Sequence, residues 1–81
     1  MFGERKRTYL ELQILILKSL KKGNLTVYEL AKRTKLHFNV VKHQLILLKG
    51  QDFVEVCFKH NQFKLFGLLK DGEKYLRKIT R

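Results

Sequence analysis

The sequence predicts a small α+β fold with three helices, a two-stranded β-hairpin and a short C-terminal helix. Paired Thr and Glu residues at capping-box spacing mark two helix starts, and a run of alternating apolar and polar residues marks a strand. The chain has 81 residues, of which 44% are hydrophobic. That length and composition suit one packed core, so we expect a single domain over residues 1–81.

The first helix is predicted from about Tyr9 to Lys22. Thr8 and Glu11 form the capping-box pair at its start, and a glycine follows its end. Its apolar side chains cover a much wider arc than the roughly 100° stripe that one core requires. Burial on two sides within one domain would explain this width, but we favour contact with a second copy of the chain. The expected dimer-interface residues are Tyr9, Leu12, Leu15 and Ile16.

Two further helices are predicted close together in the chain. Thr26 and Glu29 repeat the capping-box spacing and predict a helix over Val27–Arg33. A short turn containing Leu36 separates it from a third helix over about Phe38–Leu48. Two short helices joined by a tight turn form the outline of a helix-turn-helix.

The third helix has two unlike sides. One is expected to pack on the domain and consists of Val41, Gln44, Leu45 and Leu48. The other presents an amide, a cation and an imidazole near the helix N-terminus, where recognition helices meet base edges; it consists of Phe38, Asn39, Lys42, His43 and Ile46.

A β-hairpin is predicted after the third helix. Residues Phe53–Lys59 alternate between apolar and polar side chains, and Phe63–Leu68 is a second β-rich run. The three polar residues His60–Gln62 between them predict a hairpin loop with a lysine on each side. A short helix then completes the chain.

The charge balance indicates a polyanionic partner. The chain has 18 Lys+Arg against 7 Asp+Glu, a net charge of +11. DNA or RNA is favoured first and an anionic membrane surface second; a charged surface without a partner usually mixes Lys with Glu. No apolar run reaches the roughly 18 residues that span a bilayer, and the charged start is unlike a secretory signal. We therefore expect a cytoplasmic protein.

The reactive residues indicate neither a metal site nor an enzyme. Cys57 is the single cysteine, so it is inert, reactive, or linked to a second copy in an intermolecular disulfide. With the three histidines it forms no metal-ligand spacing, so no metal or other cofactor is expected. The carboxylates are scattered, and no nucleophile-base set or Gly-rich phosphate loop is present.

Two stretches of the chain resemble the winged helix-turn-helix family. Leu30–Val56 (LAKRTKLHFNVVKHQLILLKGQDFVEV) follows the family pattern of helix, apolar turn residue, recognition helix, Gly-containing turn and first wing strand. Leu68–Leu76 (LLKDGEKYL) is similar to the junction before the last helix, commonly Leu-Thr-x-x-Gly, with Lys70 where Thr is usual. The resemblance extends from Tyr9 to about Ile79 and implies a three-helix core, a hairpin wing and a short last helix.

Within that family the chain most resembles small archaeal winged-helix proteins. These include proteins of archaeal viruses, which would act in the host cytoplasm, and the basic chromatin proteins of Sulfolobales. The lysine-rich, proline-free sequence fits such a source.

The resemblance implies that the third helix enters the major groove of double-stranded DNA while the wing contacts the backbone or minor groove. Asn39 can pair bidentately with adenine, and Lys42 can reach guanine or a phosphate. His37 either caps the helix or contacts phosphate, and Phe38 either meets a thymine methyl or packs in the core. The expected recognition-helix contacts are His37, Phe38, Asn39, Lys42 and His43. Backbone and turn contacts are expected from Arg5, Arg7, Arg33 and Lys35, and wing contacts from Lys59, His60, Asn61, Gln62 and Lys64.

We therefore expect a homodimeric, sequence-specific regulator of transcription. Two alternatives stay open. A non-specific architectural DNA binder would hold all duplexes alike with a steep salt dependence. A winged-helix protein-interaction module would need a neutral third-helix face. RNA binding usually uses aromatic residues exposed on a sheet, and here only one is a candidate. No sensory domain is evident, so no small-molecule ligand is expected.

Overall fold

A computed structural model describes residues 8–80 and places the elements in the predicted order. The helices are α1 (Tyr9–Lys21), α2 (Val27–Thr34), α3 (Phe38–Gly50) and α4 (Lys70–Ile79), and the strands are β1 (Val54–His60) and β2 (Phe63–Leu68). The strands pair as one antiparallel two-stranded sheet. The predicted α+β fold class is thus confirmed. Among residues 8–80, no helix is long and apolar enough to cross a membrane.

Both predicted capping boxes are present. The Thr8 hydroxyl accepts from the Glu11 N–H at 3.1 Å, and the Glu11 carboxylate accepts from the Thr8 N–H at 2.9 Å. Thr26 and Glu29 make the same pair at 3.2 Å and 2.9 Å. Such a cap contributes about 1 kcal/mol to a helix, which explains why these starts are readable in the sequence.

The core lies between α1, the helix pair α2–α3 and the inner face of the hairpin. Leu25 pairs with Phe66 through two backbone hydrogen bonds, of 3.0 Å and 2.8 Å, and so ties the α1–α2 connection to β2. The buried apolar side chains are Ile16, Leu17, Leu20, Leu25, Leu30, Val41, Leu45, Leu48, Val54, Phe66 and Leu76.

Helix α1 is surrounded by elements of its own chain. α2, α3, β2 and α4 all pack against it, and the Tyr75 hydroxyl of α4 donates to the buried Gln13 Oε1 at 2.7 Å. Of the apolar side chains of α1, Tyr9 and Leu10 are exposed and the others are half-buried or buried. Ile16 is 0% exposed, so the prediction that it contributes to a dimer interface is wrong. Burial on several sides of one domain explains most of the wide apolar arc.

The hairpin departs from strict alternation. Strand β1 continues through His60, so the loop is the two-residue turn Asn61–Gln62 rather than three residues. A β-bulge lies between Val56 and Phe58, with Cys57 as the extra residue. Because a bulge shifts the side chains that follow it, Phe58 is 60% exposed and does not continue the inward row.

The last helix begins where the chain passes close to the loop before β1. The Leu69 N–H donates to the Phe53 carbonyl at 3.0 Å, and the ring of Tyr75 stacks on that of Phe53 at 4.5 Å. A Cβ on Gly72 would overlap the Phe53 carbonyl oxygen, so only glycine fits there. The N-cap residue is Leu69, which makes no side-chain cap. The residue that replaces the family's Thr is therefore Leu69, and not Lys70 as the sequence predicted.

Candidate nucleic-acid interface

Helix α3 has the two sides that its sequence predicts. Val41, Gln44, Leu45 and Leu48 are buried against the domain. The opposite side is open to solvent: Asn39, Lys42 and His43 are exposed, and Ile46 is 60% exposed. Since the helix is held on the domain by one side only, the other side is free to enter a groove of nucleic acid.

His37 caps α3, which confirms one of its two predicted roles. Its Nδ1 accepts a hydrogen bond from the Asn39 backbone N–H at 3.0 Å. With Nδ1 acting as the acceptor, the neutral imidazole carries its proton on Nε2. That N–H is left to donate to an acceptor outside the domain, such as a phosphate oxygen.

Phe38 has an aromatic partner that the sequence did not reveal. Its ring packs on Tyr28 of α2, with centroids 4.8 Å apart and planes inclined by 33°. Phe38 is half-buried, whereas Tyr28 is 64% exposed. The two rings form an aromatic ledge at the start of α3, and no local sequence signal pairs residues ten positions apart on different helices.

A cleft of about 470 Å³ separates α3 from the wing. Four predicted site residues, Phe38, Lys42, Gln62 and Lys64, are brought together in it. The full lining is Thr26, Val27, Tyr28, Phe38, Lys42, Leu45, Ile46, Lys49, Val56, Gln62, Phe63, Lys64 and Phe66. None of these described residues carries a carboxylate, while three are lysines, so the only charges in this largely apolar lining are positive. Lys49 and Phe63 are additions that the sequence does not predict, whereas Ile46 lies on the outward side of α3 as its sequence predicts.

The tip of the wing is also cationic. Lys59 and Lys64 are direct cross-strand partners, and both are exposed. Asn61 takes a positive φ of 55° in the turn, a conformation that asparagine tolerates. The ring of His60 stacks on that of Phe58 with centroids 6.4 Å apart.

The predicted backbone-contacting residues fall into three groups. Lys35, in the helix-turn-helix turn, is exposed and left-handed at φ 60°, which carries the chain from α2 into α3. Arg33 lines a different cleft, formed with α1 and α4, so the structure does not group it with the recognition helix. Arg5 and Arg7 lie outside the described residues.

Cys57 is exposed at the bulge of β1 and close to a carboxylate. Its Sγ lies 4.0 Å from Glu55 Oε2. Partial burial, and then the negative charge of Glu55, raise the pKa of the Cys57 thiol above its ordinary value. Because the thiolate is the reactive form, this environment favours an unreactive thiol at neutral pH. Among residues 8–80, no group of three or more His, Cys, Asp or Glu is placed to hold a metal ion.

The chain matches the family model for bacterial regulatory proteins of the arsR family over residues 11–56. No curated protein sequence matches it. Among solved structures, YusO from Bacillus subtilis is similar with a TM-score of 0.75 at 24% identity, over 85% of this chain and 51% of that one. BpsR from Bordetella bronchiseptica is similar with a TM-score of 0.78 at 22% identity, over 96% of this chain and 56% of that one. A MarR family regulator from Neisseria meningitidis is similar with a TM-score of 0.76 at 21% identity, over 91% of this chain and 53% of that one.

The likeness to these structures shows the fold, and this chain spans about half the length of each. The family model covers the segment from α1 to β1, which includes both helices of the helix-turn-helix and the start of the wing. The chain therefore belongs to the ArsR family of bacterial regulatory proteins, a winged helix-turn-helix family of transcriptional regulators rather than of enzymes.

Proposed function

We propose that this protein binds double-stranded DNA as a sequence-specific regulator of transcription, with α3 in the major groove. The observation that carries the proposal is the exposed side of α3, which lies beside a cationic cleft and a cationic wing tip. A net charge of +11 adds a favourable release of counterions from the duplex. Residues 1–81 would act as one domain on DNA in the cytoplasm of an archaeal cell or of the host of an archaeal virus.

The roles of the α3 residues follow from their chemistry. The Asn39 amide can donate to N7 and accept from N6 of adenine, and the Lys42 ammonium can donate to guanine or to a phosphate. His43 lies on the same exposed side, one residue after Lys42. Phe38 stays with Tyr28 and forms the apolar ledge that a thymine methyl would meet.

The proposed contacts to the DNA backbone surround the exposed side of α3. We assign phosphate contacts to His37 through Nε2, to Lys35 in the turn, and to the arm that carries Arg5 and Arg7. The wing residues Lys59, His60, Asn61, Gln62 and Lys64 are assigned to the backbone or minor groove. Such contacts fix the position of a protein on DNA without reading its sequence.

We also propose that the protein acts as a homodimer, which would place two copies of α3 on half-sites about one helical turn apart. Tyr9 and Leu10 are 54% and 44% exposed at the start of α1, and Leu12 is half-buried nearby, whereas Leu15 lines the separate cleft that contains Arg33. Sedimentation equilibrium of wild type and of Tyr9→Lys tests this interface, and a monomeric wild type refutes it. Air-oxidised protein that runs as a monomer on a non-reducing gel refutes a disulfide through Cys57.

The absence of a small-molecule ligand is part of the proposal and has its own test. In Bordetella bronchiseptica, DNA binding by BpsR is regulated by 6-hydroxynicotinic acid. In this chain, an aromatic acid held in the cleft between α3 and the wing would compete with the duplex. Titration of such acids into the protein–DNA complex therefore decides the point: displacement at fixed ionic strength overturns the ligand-free proposal.

The decisive experiment is fluorescence anisotropy with random and genomic duplexes across a salt series. We expect selective retention of a palindromic fragment. Asn39→Ala should weaken the free energy of binding to that fragment by about 1–3 kcal/mol, and binding to other duplexes much less, because it removes a base contact. Lys42→Ala should lower the slope of log affinity against log salt by about 0.9 if it contacts a phosphate. Lys74→Ala, exposed on α4 and outside both clefts, is the matched control and should change neither.

Two other outcomes would point elsewhere. Equal affinity for every duplex, with a steep salt slope, would replace the regulator by a non-specific architectural DNA binder. No binding at low salt would refute both and leave a protein-interaction module.

A further inference from the structure

A second cationic cleft lies where the C-terminal ends of three helices meet. It is lined by Lys18, Lys21 and Lys22 from the end of α1, Arg33 from the end of α2 and Arg77 from the end of α4. Its volume is about 620 Å³, and its remaining lining is Leu15, Ser19, Leu76 and Thr80. None of these described residues is acidic, so five cations share one concave surface.

Helix dipoles account for only part of this charge. Lys18, Lys21, Arg33 and Arg77 occupy the last turns of their helices, where cations favourably face the carbonyl ends. Each helix end is equivalent to roughly half a negative charge, so three ends offset only about 1.5 of the five positive charges. The remaining positive charges repel one another in the free protein, and binding of a polyanion would remove this repulsion.

This cleft is distinct from the one beside the recognition helix. The two share no lining residue: one is built by α1, the end of α2 and α4, and the other by α3, the wing and the start of α2. A duplex held by α3 and the wing would therefore be bound by a different set of side chains from these five cations.

The hydroxyl groups of the cleft are already used inside the protein. Ser19 donates to the Leu15 carbonyl at 2.9 Å, and Thr80 donates to the Leu76 carbonyl at 2.7 Å. The groups left to contact a ligand are ammonium and guanidinium groups, and their contacts to phosphates fix position without reading bases. Among residues 8–80, the exposed large apolar side chains are Tyr9, Leu10, Tyr28, Ile46, Phe58 and Phe63, and none of these lines the cleft. A membrane-binding surface inserts such side chains, so a nucleic-acid backbone fits better than a lipid surface.

We infer that the cleft between α1, α2 and α4 binds the phosphate backbone of a second segment of double-stranded DNA, so that one domain joins two duplexes. This inference rests on the proposed function, because α3 and the wing hold the first duplex. The second contact is independent of sequence and depends steeply on salt.

The test is capture of a fluorescent duplex by beads that carry an unlabelled duplex, with protein added across a salt series. The variant is Lys18→Gln/Lys21→Gln/Arg77→Gln. The matched control, Lys32→Gln/Lys70→Gln/Lys74→Gln, loses the same charge at exposed residues outside both clefts. Anisotropy with a single duplex is measured for every protein, and it reports on the proposed function separately.

We expect wild type and control to capture the second duplex. The cleft variant should keep its affinity for a single duplex but lose capture, with the salt slope of capture smaller by about 2.7 if three phosphate contacts are removed. Capture that is absent in wild type, or equal in variant and wild type, overturns the inference while single-duplex binding still supports the proposed function. Binding of wild type, but not of the variant, to anionic phosphatidylglycerol vesicles without duplex capture would assign the cleft to a membrane instead.

Discussion

Gly72→Ala is expected to loosen the last helix from the domain. A methyl group there would overlap the Phe53 carbonyl oxygen and lie 2.8 Å from Leu68 Cδ1. Because the oxygen belongs to the backbone, the start of α4 must move, which weakens the 3.0 Å hydrogen bond from Leu69 N–H to that oxygen.

The expected magnitude follows from three contributions. Loss of the hydrogen bond costs about 1 kcal/mol and overpacking about 1–3 kcal/mol, whereas the better helix propensity of alanine offsets roughly 0.8–1 kcal/mol. We expect a net loss of about 2 kcal/mol in the free energy of unfolding, or a fall in Tm of about 8–16 °C for a domain of this size.

Gly50→Ala is the matched control, because Gly50 also lies in a helix but, apart from its chain neighbours and the helix's own backbone, no atom lies within 4 Å of the added methyl. It should stabilise the protein by roughly 0.5–1 kcal/mol. Urea unfolding followed by circular dichroism measures both variants. If Gly72→Ala is as stable as wild type, or if both glycine variants shift in the same direction, the close approach of α4 to Phe53 is refuted.

Three further predictions concern single contacts. His37→Ala should destabilise the protein by about 1 kcal/mol in urea unfolding and His37→Asn should not, since asparagine also caps; equal losses would argue against the cap. Tyr75→Phe leaves the buried Gln13 Oε1 without its donor and should lower the free energy of unfolding by about 1–3 kcal/mol. Adding Gln13→Leu to the same chain should restore part of that loss. A Tyr75→Phe variant as stable as wild type would contradict the buried hydrogen bond. The raised pKa of Cys57 keeps the thiol protonated to higher pH, so iodoacetamide should modify it more slowly at about pH 8 in folded protein than in urea. Glu55→Gln should speed the reaction of the folded protein. An unchanged rate in Glu55→Gln would exclude the carboxylate as a cause of the raised pKa.

Local signals predicted the elements well because they act over three or four residues. The Thr8–Glu11 and Thr26–Glu29 pairs satisfy backbone groups of their own first turns, so they mark helix starts without knowledge of the fold. The two sides of α3 follow from helical periodicity alone, and each residue assigned to its inner side is buried.

What the sequence could not show depends on contacts between distant residues. The wide apolar arc of α1 indicated a dimer because nothing local reveals that α4 docks on it through Tyr75 and Gln13. The bulge at Cys57 interrupts an otherwise regular alternation, and it places Sγ over Gly67, where a side chain would not fit. The position of Arg33 beside the turn predicts a backbone contact there, whereas helix packing places Arg33 in a cleft with α1 and α4.

The facing lysines at the wing tip set a limit on the stability of the wing. Lys59 and Lys64 are direct cross-strand partners, and like charges at such positions weaken a hairpin by a few tenths of a kcal/mol to about 1 kcal/mol. An anion between the two ammonium groups removes that repulsion, as does screening by salt. We therefore expect the end of the hairpin to be more open in dilute buffer, with faster amide hydrogen exchange at His60 and Phe63, and to become ordered when phosphate groups neutralise it.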